Sequence, residues 1–141
     1  MSALLLDTHV LIWLLAGDGR LGAIARSRIE QAARDNALLV SAISPWEIAM
    51  LVSKGRLALD RDVGEWVNTA LALPGIRLTP LAPEIAVAST RLPGVLHPDP
   101  ADRIFAATTR HVDAVLVTAD RRLLEYGQSG HLKTLSASAL R

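Results

Sequence analysis

Three short apolar runs constrain this chain most: Ala3 to Leu6, Ala37 to Val40 and Val115 to Val117 are unbroken stretches of Ala, Leu and Val with polar residues at their ends. A strand with one wet face alternates apolar and polar side chains, so an uninterrupted run needs cover on both faces. Such strands belong to parallel sheets, whose crossover helices supply the cover. Helical stripes lie between them, one formed by Leu21, Ile24, Ala25, Arg28, Ile29 and Ala32, another by Ile48, Leu51 and Val52. Further helices are expected near Asp62 to Leu73, Pro83 to Leu92, Ala101 to Arg110 and Arg121 to Tyr126, with edge strands near Ile76 to Thr79 and Leu132 to Leu135. No repeat, charge block or low-complexity linker divides the 141 residues. The expected fold is a single three-layer α/β/α domain over residues 1–141 with a central, mostly parallel sheet.

Cysteine is absent, which excludes disulfides, thiolate metal sites and cysteine nucleophiles; it agrees with a reducing compartment, so a cytoplasmic location is expected. The opening MSALLLDTHVLIWLLAG has no basic leader, and Asp7 and His9 interrupt a run already too short to span a bilayer. Neither a signal peptide nor a membrane helix is expected. A net charge of +1 gives no global basic field, so a nucleic-acid partner has to be met by a local patch. Hydrophobic residues make up 50% of the chain and mean hydropathy is +0.30, so some apolar surface is expected to be covered by another chain.

The acids fall where such a sheet opens. Asp7 follows the first apolar run directly, and Asp120 follows VLVTA, both at carboxyl ends of strands. In SAISPWEIAM, Ser44 is placed to cap a helix with Pro45 at its first position and Glu47 at its third; Asp99, Pro100 and Asp102 repeat that pattern. Capping accounts for any one of these acids alone, since Ser44 with Glu47 reads as a capping box, Asp99 as an N-cap, and Asp102 as a charge favoured at the positive helix end. Caps also gather at the carboxyl edge of a parallel sheet, which is the edge open α/β sheets use for ligands.

Redundancy weighs against capping alone, because each motif supplies an acid beside a cap already present. Asp7, Glu47, Asp102 and Asp120 brought together would repel and raise one another's pKa unless a divalent cation neutralised them. Oxygen ligands suit magnesium or manganese, whereas zinc recruits histidine, and the four histidines show no ligand spacing. His9 and His97, which flank acids, read as local hydrogen-bonding residues ahead of the alternative of a ligand or base. Thr8 and Thr118 neighbour Asp7 and Asp120, either positioning a carboxylate or a water or serving as turn hydroxyls.

Taken in order, LLLDTHVLIWLL, SAISPWEIAMLVSKGRL and HPDPADRIFAATTRHVDAVLVTADRRLLEYG resemble the PIN-domain nucleases and, more narrowly, the VapC-type toxins. The resemblance runs from about Ala3 to Gly127, and its specificity lies in widely separated acids in matching contexts. It implies a parallel sheet that gathers Asp7, Glu47, Asp102 and Asp120 as catalytic acids, with Asp7, Asp102 and Asp120 as metal ligands and Glu47 ligating or orienting water. Asp99 belongs to the HxDPxDR variant, as an outer ligand or as the helix cap. The resemblance further implies a magnesium- or manganese-dependent endoribonuclease, held inactive by an antitoxin protein and usually homodimeric. A cation in such a site would lower the pKa of a water and stabilise the pentavalent phosphate, and four acids suffice for one ion or two.

Arg103, Arg121 and Arg122 lie beside the acidic motifs, either as contacts to RNA or as ordinary exposed arginines. Aromatic residues are only 4%, so an extended base-stacking platform is not expected. Trp13, Leu14 and Leu15 follow the first motif, and Trp46 and Met50 the second; they belong either to the core or to the groove that takes an antitoxin segment.

Two rival readings stay open. Receiver domains and haloacid-dehalogenase phosphatases also cluster acids at strand ends around magnesium, although here His9 and Val10, not a second aspartate, follow Asp7 and Thr8, and Lys133 follows no obvious apolar strand. A non-catalytic RNA- or protein-binding module would use the same scaffold with its acids as caps alone.

Overall fold

Leu4, Leu5 and Leu6 form the first strand, β1 (Leu4–Leu6), and none is more than 2% exposed, so the cover demanded by the apolar run is present on both faces. The structure, a computed structural model, describes residues 2–138. After β1 come α1 (Thr8–Ala16), α2 (Ala23–Arg34), β2 (Leu38–Ser41), α3 (Ile43–Ser53), α4 (Val63–Leu71), β3 (Ile76–Thr79) and α5 (Pro83–Ala88). The chain continues through α6 (Pro100–His111), β4 (Val115–Thr118), α7 (Arg121–Gln128) and β5 (Thr134–Ser136).

The strands lie in the order β3-β2-β1-β4-β5, and every ladder among the described residues is parallel. Leu5 sits between Leu39 of β2 and Leu116 of β4. Alternation along β1 then divides the core. Leu4 and Leu6 join Val10, Leu11, Ala25, Ile29 and Ile48 on the face covered by α1, α2 and α3, with Trp66 and Val67 of α4 packed at its margin. Leu5 joins Leu116, Phe105, Ala106, Leu123 and Tyr126 on the face covered by α6 and α7. This is the three-layer α/β/α architecture expected from the sequence.

From β1 the chain builds outward through β2 to β3, then crosses back to place β4 on the opposite flank of β1. The carboxyl ends of β1 and β4 therefore open a crevice at a topological switch point, where open α/β sheets receive ligands. Asp7 and Asp120 follow those two strands.

Local departures from expectation have physical reasons. Ile24 is 56% exposed and Arg28 is also exposed, because α2 buries only the narrow stripe of Ala25, Ile29 and Ala32. Helix α5 stops at Ala88, short of Leu92, where Ser89 Oγ and Thr90 Oγ1 bond the carbonyls of Ala86 and Val87 and Pro93 follows. Strand β5 begins at Thr134, and Leu132, expected in the strand, is buried in the second core cluster. Gly75 precedes β3 with φ +86°, and a Cβ there would stand 2.0 Å from the carbonyl oxygen of Ala33, so the approach of β3 to the end of α2 requires glycine.

Candidate active site

Asp7 occupies the N-cap position of α1, yet its side chain makes no cap hydrogen bond. Its Oδ2 instead accepts from Thr118 Oγ1 at 2.6 Å, and that hydroxyl accepts the backbone N–H of Asp120 at 3.0 Å. One buried hydroxyl thus ties together the acids that follow the two central strands. Asp7 is 8% exposed, and burial pushes its carboxyl above the ordinary range; the Thr118 bond, His9 and the Thr8 N–H oppose the rise, and Asp120 adds to it.

Glu47 reaches the same edge from α3. Thr8 Oγ1 donates to Glu47 Oε1 at 2.5 Å and lies 3.0 Å from Ser44 Oγ. Ser44 is therefore not the cap expected from the sequence. The Ser41 hydroxyl accepts the Ile43 N–H and starts the helix earlier, leaving Ser44 inside α3, fully buried against Thr8. Pro45 and Glu47 accordingly lie deeper in the helix than the first and third positions expected for them. Pro45 is still within the first turn, where the missing N–H has no helical partner to lose. Burial raises the Glu47 carboxyl, with Asp7 and Asp99 reinforcing the effect and Thr8 and His9 opposing it.

Helix α6 supplies Asp99 and Asp102. Asp99 Oδ1 accepts the Asp102 N–H at 3.1 Å, a true N-cap, while the Asp102 carboxyl is left over. Burial pushes Asp102 up to about 7, followed in effect by Asp120, Asp99, Asp7 and Glu47. Asp120 caps α7, its Oδ1 accepting from the N–H groups of Arg122 at 2.8 Å and Leu123 at 3.2 Å. Capping and clustering thus coexist.

Of the expected metal ligands, Asp102 and Asp120 come together with His97, their ligand atoms all within 4.8 Å of one another. Asp7 is not in that trio; it is linked to Asp102 by charge and to Asp120 through Thr118. The sequence places His97 first as a local hydrogen-bonding residue and second as a ligand or base. The signal that marks it is HPDP, whose two prolines stiffen the backbone between His97 and the start of α6. Among the described residues no lysine or arginine forms an ion pair with Asp7, Glu47, Asp102 or Asp120. Partly desolvated carboxylates with raised pKa and no lysine or arginine partner, beside His97 Nε2, which stands 2.9 Å from Asp102 Oδ2 without hydrogen-bond alignment, fit a divalent cation.

The arginines divide. Arg103, expected at RNA, instead spends Nε on the Ser89 carbonyl at 2.8 Å and Nη1 on the Leu96 carbonyl at 2.9 Å, because these carbonyls follow α5 and lack helical partners. It clamps the α5–α6 loop. Arg121 and Arg122 are exposed at the start of α7. Lys133 and its partner Asp113 stand at the amino ends of β5 and β4, opposite the edge that holds Asp7 and Asp120, where a receiver lysine would be needed.

The apolar candidates also separate. Trp13 packs on the first core cluster with the Arg20 guanidinium 5.1 Å from its ring centre, while Leu14 and Leu15 line a cleft of about 360 Å³ with Trp66 and Leu73. Trp46 is 54% exposed, and Met50 is half-buried.

A five-stranded parallel sheet with acids collected at the β1–β4 switch point describes a PIN domain, and the PIN domain family model matches residues 4–128. The chain belongs to that family. Ribonuclease VapC22 of Mycobacterium tuberculosis is 37% identical to it over 123 residues, 87% of this chain and 91% of that protein. Among solved structures, VapBC2 from Rickettsia felis bound to a promoter DNA fragment superposes with a TM-score of 0.70 at 15% identity, covering 95% of this chain and 98% of that one. DNA-bound VapBC from Salmonella typhimurium gives 0.68 at 16% identity, covering 96% and 98%. The resemblance drawn from the motifs is borne out. Among the described residues no helix is long and apolar enough to cross a membrane.

Proposed function

We propose that this chain is a metal-dependent endoribonuclease, the toxin of a toxin–antitoxin pair, acting as one nuclease domain. The observation that carries the reading is the convergence of Asp102 and Asp120 with His97, their ligand atoms within 4.8 Å of one another, at the edge where Thr118 ties Asp7 to Asp120. A set of acids so arranged is stable as a charged group only with a cation among them.

Asp102, Asp120 and Asp7 would hold the cation, magnesium or manganese. The cation supplies positive charge that lowers the pKa of a nearby water and offsets charge building on the phosphate. Thr118 fixes the orientation of Asp7, and Ser44 and Thr8 fix Glu47. With Oε1 held by Thr8, Glu47 keeps Oε2 to take a proton from the attacking water. Arg121 and Arg122, exposed at the N-terminus of α7, bind the RNA backbone. With so few aromatic residues, RNA is selected by backbone and shape.

The relative is a ribonuclease, and the structural neighbours are complexes of the VapBC type. An antitoxin is accordingly the protein partner proposed here, with Trp46 and Met50 on α3 and Leu14 in the α1–α4 cleft as its contacts, alongside a homodimer of this chain. A chain without cysteine that cuts RNA suits the cytoplasm.

The test is incubation of antitoxin-free protein with a mixed small-RNA pool in magnesium, manganese or EDTA, wild type beside Asp7→Asn. Discrete products that need metal and vanish in the variant are expected. Folded wild-type protein that cuts nothing in either metal would overturn the reading in favour of a binding module.

A further inference from the structure

His97 is the one site residue whose chemistry the function above leaves idle. Its side chain is 15% exposed, and Nε2 is buried without a hydrogen-bond partner. That nitrogen stands 2.9 Å from Asp102 Oδ2, an approach that lacks hydrogen-bond alignment. A ring nitrogen and a carboxylate oxygen that meet this closely without hydrogen-bond alignment are placed to face a common third centre. Ligands about 2.1 Å from one ion and at right angles to each other stand about 3 Å apart, which is the spacing seen here. Asp120 completes the set within 4.8 Å.

We propose that His97 Nε2 is a ligand of the cation, making the site a mixed histidine–aspartate set with a preference for manganese over magnesium. The inference rests on the metal-dependent reading above and deepens it. An all-carboxylate site suits magnesium, whereas one imidazole shifts relative affinity toward the later divalent ions.

A consequence reaches Arg122. Its Nη1 lies 3.4 Å from His97 Nδ1, a contact that requires Nδ1 to accept. Once Nε2 gives its lone pair to a cation, the ring proton resides on Nδ1, a tautomer shift of the neutral ring with no net proton taken up. Two donors would then face each other, so Arg122 turns away and its guanidinium becomes free for a phosphate at the same edge. Cation loading and RNA binding are coupled through this one ring.

Pulsed electron paramagnetic resonance on the full chain loaded with Mn²⁺ alone tests the assignment without reference to activity. The wild-type signal is expected to show ¹⁴N coupling, which disappears in His97→Gln and survives in His9→Gln. Calorimetry on His97→Gln is expected to show Mn²⁺ affinity reduced by at least about tenfold with Mg²⁺ affinity nearly unchanged. Wild type that binds Mn²⁺ without ¹⁴N coupling, or with coupling that persists in His97→Gln, overturns the role of His97 while leaving the carboxylate site standing. Wild type that binds no Mn²⁺ at all overturns both.

Discussion

Thr118 and Asp7, 111 residues apart in the chain, share a 2.6 Å hydrogen bond across the seam between β1 and β4. The same hydroxyl accepts the Asp120 N–H, so it serves two acids at once. Thr118→Val keeps the β-branched shape and removes both bonds. A hydrogen bond to an ionised partner contributes about 1.5–3 kcal/mol, so Asp7 would need a higher pH to ionise. The acid limb of the pH–rate profile is expected to move about one unit toward higher pH in the variant, with activity recovering as pH rises. An unmoved limb with a uniformly lower rate would assign Thr118 a packing role only.

Asp102 links stability to pH. A carboxyl whose pKa is raised on folding favours the folded state while it is neutral; that contribution is whole below 3.8 and lost as pH climbs through about 7. In EDTA, the melting temperature of wild type relative to Asp102→Asn is expected to fall between these limits, leaving the variant the more stable at pH 8. Asp7 and Glu47, raised in the same direction, steepen the pH dependence of wild type and variant alike. Thermal scans in steps of pH, with and without Mn²⁺, read this directly. A difference that stays flat with pH would show that Asp102 titrates normally.

At the proposed site, cation binding would displace the protons that these carboxyls retain. Mn²⁺ titrations at pH 6 in buffers of different ionisation enthalpy are expected to report proton release, shrinking toward pH 8 as Asp102 ionises without help. Equal heats in all buffers at pH 6 would mean that the site binds without losing protons.

The arginines should behave as two classes. Arg103→Ala removes two bonds to loop carbonyls and is expected to cost about 2–3 kcal/mol of stability. Replacing Arg121 and Arg122 together should shift stability by no more than about 0.5 kcal/mol. On the inactive Asp7→Asn background, that pair of changes should weaken RNA binding and reduce the slope of log K against log salt by about 1.5. An unchanged salt slope would remove both arginines from the RNA surface.

The sheet was legible because its physics is local. Leu4 to Leu6 and Leu38 to Val40 carry their double burial in composition alone, and even the edge strand at Ile76 to Thr79 falls where expected. Asp99 was legible for the same reason, since a cap is read from its own next three residues. Ser44 was not. Its pattern fits a cap, but the helix start is set by Ser41, and its partner Thr8 lies 36 residues away. Arg103 and His97 were hidden likewise, one bonded to the Ser89 carbonyl 14 residues back and the other grouped with Asp120 beyond an entire helix and strand. Local patterns report backbone geometry, whereas the convergence of side chains at the β1–β4 crevice depends on strand order.

The initial rate of RNA cleavage by antitoxin-free protein, followed as Mn²⁺ is titrated into an EDTA-treated sample, tests most directly whether these carboxylates form a catalytic cation site. Wild type is expected to rise from zero to a plateau, while Asp7→Asn and Asp102→Asn stay at background with metal-free melting temperatures equal to or above wild type. Cleavage that persists in EDTA, or either variant cutting at the wild-type rate, would contradict the site.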